Sequence, residues 1–150
     1  MEAIILAGGK AERLGDAAGG RPKALVDVAG RPLAAYQVGR LAHAGVDRVI
    51  FACAAGQGAL FEDELAGLGP EIVAVEEPER LGRGGGFKFA ARARRDRGDI
   101  FGLNGDELVD VDFGALLARH RQAGGAATVA GFDCERQSLA VRARTAYLPG

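Results

Sequence analysis

Apolar residues along the chain fall into two kinds of segment. Ala3-Ile4-Ile5-Leu6-Ala7, Val49-Ile50-Phe51-Ala52-Cys53, Ile72-Val73-Ala74-Val75 and Ile100-Phe101-Gly102-Leu103 are short unbroken runs. Such runs, with no polar alternation, predict strands buried on both faces, as in a parallel sheet. Between them apolar residues recur at helical spacing. Leu33, Tyr36, Val38, Leu41 and Ala44 form one face of a helix that follows Arg31-Pro32 and stops at Gly45. Leu60, Phe61, Leu65 and Leu68 mark a second helix over 57–67. A glycine cluster at 82–86 opens a third, reaching about Arg95, and Asp112 can cap a fourth with Phe113, Leu116, Leu117 and His120 inward. The stretch 126–132 predicts a fifth strand. Strands and helices in strict alternation predict an α/β fold, an open and mostly parallel sheet covered by helices, with right-handed crossovers.

In such sheets ligands bind beyond the carboxyl ends of the strands. The segments 8–22, 76–86 and 104–112 each follow a predicted strand, so they are expected on that one edge. The first is long, charged, rich in glycine and without a period, which marks a functional loop. After Phe132 the pattern degrades into the polar Asp133-Cys134-Glu135-Arg136-Gln137 and a weak alternation broken by arginines.

Composition narrows the classes. A chain of 150 residues with 48 % hydrophobic and 26 % charged residues and a net charge of -1 is one ordinary globular domain. Near-neutral charge argues against a nucleic-acid binder. No apolar run is long enough for a membrane span, and no basic region precedes an apolar one as in a signal peptide, so the expected location is cytoplasmic. Cys53 and Cys134 lack metal-site spacing and are expected to be free, buried thiols. Glycine (24) and alanine (29) together exceed a third of the chain, so tight turns and small core residues are expected. Arginine outnumbers lysine 16 to 3, which makes Lys10, Lys23 and Lys88 conspicuous.

A glycine loop after the first strand suggests nucleotide phosphates. Gly8-Gly9-Lys10-Ala11-Glu12-Arg13 fails the dinucleotide fingerprint at its third position, and Gly15 with Gly20 has Walker spacing but is followed by Arg21-Pro22. The fuller stretch, Leu6-Ala7-Gly8-Gly9-Lys10-Ala11-Glu12-Arg13-Leu14, Arg21-Pro22-Lys23-Ala24-Leu25-Val26 and Gly30-Arg31-Pro32-Leu33, resembles the signature of the sugar-phosphate nucleotidyltransferases, or nucleotide-sugar pyrophosphorylases. That family opens L-A-G-G-x-G-T-R-L and continues P-K-x-L and G-K-P. The likeness continues at Leu81-Gly82-Arg83-Gly84-Gly85-Gly86-Phe87-Lys88, where the family has L-G-T-A-G-A-L-K. It continues again at Leu103-Asn104-Gly105-Asp106-Glu107-Leu108, where a strand ends in G-D, and at Asp112 and His120.

The resemblance implies a three-layer Rossmann-like sheet, truncated at the C-terminus, with a nucleotide-binding core over 1–132 and an atypical tail over 133–150. It implies transfer of a nucleotidyl group from a nucleoside triphosphate to a sugar 1-phosphate, with release of pyrophosphate. Arg13 and Lys23 would be the catalytic cations. Arg13 would grip the departing phosphates with its planar fork, and Lys23 would neutralise charge at the α-phosphorus. Leu6, Ala7, Gly8, Gly9, Glu77, Gly82 and Asn104 would bind the nucleotide, and Asp106 would hold Mg2+. A carboxylate at Glu77 matches the adjacent donors of guanine, so the base leans to GTP. Glu76 and Glu77 could equally decorate an exposed loop. Lys88 and Arg92, with Arg94, Arg95 and Arg97, read as a solvated basic face, and His43 and His120 as structural.

Departures from the signature are Ala11 for a glycine, Glu12 for a threonine or serine, and Arg83 and Gly84 for threonine and alanine. Family enzymes are longer; their sugar-binding half and a second metal-binding aspartate lie beyond the end of this chain. The Arg-rich stretch through Arg142 and Arg144 reads like an unrelated or frame-shifted ending. Two alternatives stay open: a non-catalytic nucleotide-binding module needing a partner, and a relative of the molybdopterin guanylyltransferases. Neither nucleic acid nor a membrane is expected as partner, and homo-oligomerisation is left open.

Overall fold

The computed structural model describes residues 1–9 and 20–130 together with the backbone of 145–147. Arg13, Lys10, Ala11 and Glu12, and in the tail Cys134, Arg142 and Arg144, lie outside the described residues.

Four apolar runs form one parallel sheet. β1 is Glu2–Leu6, and Asp27–Val28 (β2) and Arg31–Pro32 (β3) make a small hairpin before the first helix. β4 is Arg48–Ala54, β5 is Glu71–Glu77 and β6 is Ile100–Asn104, in the order β5-β4-β1-β6. The register sets Ile4 beside Ile50 and Gly102, and Ile5 beside Phe51 and Leu103. Successive side chains of a strand point to opposite faces, so the continuous apolar runs supply both.

One face carries Ala3, Ile5, Val49, Phe51 and Phe101, all buried, beneath the helices α1 (Leu33–His43), α2 (Gly58–Glu64) and α4 (Phe113–Ala123). Phe61 of α2 stacks on Phe51 with ring centroids 5.0 Å apart, and Phe113 of α4 meets Phe101 edge-on at 5.2 Å. The other face carries Ile4, Ile50 and Ala52 against Phe87 and Ala90 of α3 (Gly82–Ala90). Gly102 makes that contact possible, because a Cβ there would stand 2.7 Å from the Phe87 ring. Helices on both faces make the three layers, and the chain turns back across the sheet between β1 and β6.

Two capping devices were readable in the sequence. Asp112 accepts the Ala115 amide at 2.9 Å at the start of α4, and Gly45 (φ 83) follows α1 in the left-handed conformation. A third was not. Glu76 at the end of β5 accepts the Gly58 amide at 2.8 Å and so caps α2 from a neighbouring strand. The amides of Gly56 and Gly58 hold its carboxyl below the usual range.

Three expectations are corrected. The fifth strand does not form at 126–130, the described part of 126–132; Val129 there is 89 % exposed, and an apolar run without a ladder neighbour has no reason to extend. Within the expected loop 104–112, Glu107–Val109 is a strand, β7, which pairs antiparallel with Thr145–Tyr147, β8. The third helix ends at Ala90 and tightens into a 3-10 turn over Ala91–Ala93. Beyond it the amides of Arg95 and Asp96 turn to the carboxylate of Glu2, at 3.0 and 3.1 Å.

Glu2 gathers the opposite edge of the sheet. It is 3 % exposed, with Arg94 Nε at 3.4 Å and Arg48 Nε at 3.7 Å, while Arg95 pairs bidentately with Glu71 on β5. Arg94 is therefore a fastening rather than part of a solvated face; Arg95 stays exposed while it pairs with Glu71, and Lys88 and Arg92 are exposed as expected. Burial pushes the Glu2 carboxyl up, but the Arg95 and Asp96 amides and the Arg94 guanidinium outweigh it and hold the group below its ordinary value. A lowered native value means the ionised form stabilises the fold above the unfolded-state value of 4.5, and that contribution disappears as pH falls below it. Glu2→Gln is expected to cost about 2 kcal/mol at neutral pH. In chemical denaturation the difference between wild type and variant should shrink as pH drops below 4.5.

Cys53 is free and buried, as expected. Burial, reinforced by the charges of Glu76, Glu77 and Glu62, pushes its thiol up to about 12, so it stays protonated and inert. Among the described residues no helix is long and apolar enough to cross a membrane.

Candidate functional site

Beyond the carboxyl ends of β1, β5 and β6 lies a cleft of about 390 Å³. β1 contributes Leu6 and then Ala7, Gly8 and Gly9; β5 contributes Glu77 and then Arg80, Gly82 and Arg83; β6 contributes Asn104 and then Gly105 and Asp106. Lys23 and Ala24 close the side between β1 and β6. Every described residue singled out from the sequence for nucleotide or metal lies on this cleft: Leu6, Ala7, Gly8, Gly9, Lys23, Glu77, Gly82, Asn104 and Asp106. Arg13 is the exception, lying outside the described residues.

Lys23 is placed by what flanks it. Pro22 is fully buried, and Lys23–Leu25 is a 3-10 turn whose Ala24 and Leu25 are each 1 % exposed in the core. The turn is thereby fixed, and the Lys23 side chain, 4 % exposed as a residue, brings its ammonium within 3.6 Å of Asp106 Oδ2. The residues read as catalytic cation and metal ligand, 83 positions apart in sequence, form one ion pair.

Asp106 sits in a two-residue turn after β6. The Gly105 amide donates to Leu6 O at 2.8 Å. A Cβ on Gly105 would lie 2.9 Å from that carbonyl, 3.2 Å from Ala24 Cβ and 3.3 Å from Ile5 Cγ2. This glycine is required for close approach: it lets the end of β1, the Lys23 turn and the Asp106 turn meet. The sequence motif marked the position through its strand-ending Gly-Asp but not this reason for it.

On the other side Glu77 is half-buried and accepts the Leu81 amide at 3.3 Å. A Cβ on Gly86 would collide with its carboxylate as placed, so this glycine of the cluster at 82–86 leaves room for Glu77. Gly82 enters α3 at φ 70. Glu76 and Glu77, adjacent on β5, diverge, the first to α2 and the second to the cleft.

Arg80 and Arg83 also line the cleft and belonged to no site reading. Arg83 was visible only as a departure from the family pattern, and Arg80 carries no motif. With Lys23 they set three cations against the carboxylates of Glu77 and Asp106. His43 and His120 lie apart: His43 Nδ1 is 2.7 Å from Gly39 O, and His120 contacts Thr128 and Asp99.

The carboxylates this cleft offers to a metal are those of Asp106 and Glu77. Among the described residues no three His, Cys, Asp or Glu side chains cluster as a ready-made cage. One carboxylate beside a space for phosphates is nevertheless how a hard divalent cation is commonly held, with phosphate oxygens and water completing its shell. The donor set fits such an ion.

The chain is similar to proteins of known name. The mannose-1-phosphate guanylyltransferase of Mycobacterium tuberculosis is 36 % identical over 125 residues, covering 81 % of this chain and 34 % of that protein. The solved inositol-1-phosphate CTP transferase from T. maritima superposes with a TM-score of 0.64 at 32 % identity, over 72 % of this chain and 44 % of that one. The UTP-bound UGPase from Acinetobacter baumannii superposes at 0.69 with 20 % identity, over 83 % and 53 % of the two chains, a likeness of fold. The chain thus spans about a third of the length of the curated relatives it matches. Residues 3–149, which take in every residue of the cleft, match the MobA-like NTP transferase domain, and the chain belongs to that family.

Proposed function

We propose that this chain binds a nucleoside triphosphate in the cleft and carries out nucleotidyl transfer to a sugar 1-phosphate. The observation that carries this reading is the buried Lys23 ammonium, 3.6 Å from Asp106, at the meeting of three strand-end segments. An oxygen of the sugar phosphate attacks the α-phosphorus in line. The bond from α-phosphorus to the bridging oxygen breaks, and pyrophosphate leaves with the electron pair. Such chemistry asks the protein to position polyanions and neutralise developing charge. Gly8 and Gly9 leave room for a nucleotide against the backbone, and Leu6, Ala7, Gly82 and Asn104 wall the same space. Lys23 stabilises charge at the α-phosphorus, and Arg13, ten positions earlier in the sequence, grips the departing phosphates. Asp106 would hold Mg2+, which when bound supplies charge neutralisation at the phosphates. A cytoplasmic location is part of this proposal, since the reaction draws on a nucleoside triphosphate.

Guanine is the proposed base. Glu77 presents carboxylate oxygens to the cleft, suited to the paired N1–H and amino donors of guanine, and the M. tuberculosis relative is a guanylyltransferase by name. Pyrophosphate release should be followed over a panel of triphosphates and sugar 1-phosphates with Mg2+. Turnover with GTP and mannose 1-phosphate is expected. Magnesium-dependent nucleotide binding with no turnover for any pair would instead establish a binding module. Glu77→Gln is expected to lower kcat/KM for GTP about 10- to 100-fold while changing that for UTP much less. Equal losses for both nucleotides would remove Glu77 from base recognition.

A further inference from the structure

We propose that Gln37, on the helix behind the cleft, is a positioning residue for Asp106; the assignment rests on the nucleotidyl-transfer reading and deepens it. Asp106 and Gly105 connect β6 to β7, yet those two strands share no ladder: β6 pairs with β1, and β7 with β8. Something else must close the turn. Gln37 Nε2 donates to Asn104 O at 2.8 Å and to Glu107 O at 2.6 Å, the carbonyls on either side of Gly105 and Asp106. One amide group therefore bridges both ends of the turn and ties it to α1. Asn104 Nδ2 spans the same turn to Glu107 Oε1 at 3.0 Å.

The cost of this arrangement argues for its purpose. Gln37 is 4 % exposed and sits among Ala34, Val38 and Leu41, which are completely buried and apolar. Two carbonyl acceptors need two N–H donors, which fixes the amide with its nitrogen toward the turn. Its oxygen Oε1 is left buried without a hydrogen-bond partner among the described residues. An unpaired buried acceptor is a liability that an apolar residue would avoid. A side chain that only filled space would not incur it. What it gains is a fixed backbone on both sides of the carboxylate that the reading assigns to the metal. Outer partners that hold a metal ligand in place commonly matter 10- to 100-fold to metal affinity, a range of about one to two decades.

The test compares Gln37→Met, which keeps length and loses both donors, with Val38→Ala, a core truncation on the same helix that lowers stability without touching the turn. Two readouts are taken on the whole chain: hydrogen exchange of the Gly105 amide without ligand, and Mn2+ binding in the presence of GTP followed by electron paramagnetic resonance. Gln37→Met is expected to speed Gly105 exchange and weaken GTP-dependent Mn2+ binding about 10-fold or more. Val38→Ala should leave Mn2+ binding within about twofold. If Gln37→Met and Val38→Ala behave alike in both readouts, Gln37 is merely structural and the proposal fails. A wild-type Mn2+ signal that Gln37→Met leaves unchanged overturns the assignment to Gln37 alone. Absence of any GTP-dependent Mn2+ signal in the wild type overturns the nucleotidyl-transfer reading, and the role of Gln37 with it.

Discussion

Lys23→Met is expected, on the proposed function, to lower the rate of nucleotidyl transfer about 10²- to 10³-fold, the usual loss when a preorganised stabiliser of transition-state charge is removed. The size follows from where the ammonium sits. Lys23 is 4 % exposed, so its charge is poorly screened, and its turn is anchored in the core by Ala24 and Leu25. No reorganisation is needed when charge develops at the phosphorus. Methionine matches the stem of lysine, so core packing survives and the melting temperature should move by only a few degrees, about 1 kcal/mol for a chain of this size. The effect should fall on kcat more than on the KM for GTP, because the lost interaction is strongest in the transition state. Lys23→Arg should not restore the rate, since a planar guanidinium does not fit a buried site shaped for a compact ammonium. Pyrophosphate release under saturating GTP gives the answer. A Lys23→Met protein within tenfold of wild type, a difference of about 1.4 kcal/mol, would take Lys23 out of the chemistry.

How much of this was legible in the sequence depends on how far apart the interacting residues lie. The four parallel strands were readable because each is an unbroken apolar run, and burial on both faces leaves no other pattern. The cleft was readable because the loops after β1, β5 and β6 must share an edge. Gly8, Gly9 and Asp106 could be placed there before any distance was known, and Lys23 by the family resemblance. Interactions between distant segments left no such trace. Arg94 belongs to a basic run that reads as a solvated face, and only folding brings it against Glu2, 92 positions away. Glu76 reads as loop decoration until β5 lies beside the start of α2. Gln37 interrupts an apolar helix face in a way that periodicity treats as noise, since its partners are carbonyls 67 and 70 residues further on. The error at 126–130 is of another kind. Ala126-Ala127-Thr128-Val129-Ala130 has the composition of a strand, but a strand is made by a neighbour, and composition does not supply one.

Gly105→Ala is expected to destabilise the protein by about 2–3 kcal/mol and to abolish most transfer, while Gly9→Ala leaves stability nearly unchanged. The two glycines both line the cleft, and the difference lies in what a methyl group would meet. At Gly105 it meets the Leu6 carbonyl at 2.9 Å, with Ala24 Cβ and Ile5 Cγ2 close behind. None of these is the end of a flexible side chain that could swing aside, so the turn itself must retreat from β1. Retreat stretches the 2.8 Å bond from the Gly105 amide to Leu6 O and carries Asp106 away from Lys23. A displacement of about 1 Å at a positioned group can cost about 10²-fold in rate, so activity should fall further than stability alone dictates. At Gly9 the added methyl meets nothing within 4 Å among the described residues. If that space is kept for a nucleotide, Gly9→Ala should fold normally and bind GTP at least about tenfold more weakly, because the methyl stands where the ligand must approach. Thermal melting and calorimetric titration with GTP separate the two. A Gly9→Ala protein that binds GTP as tightly as wild type would show that the open space beside Gly9 is not where the nucleotide lies.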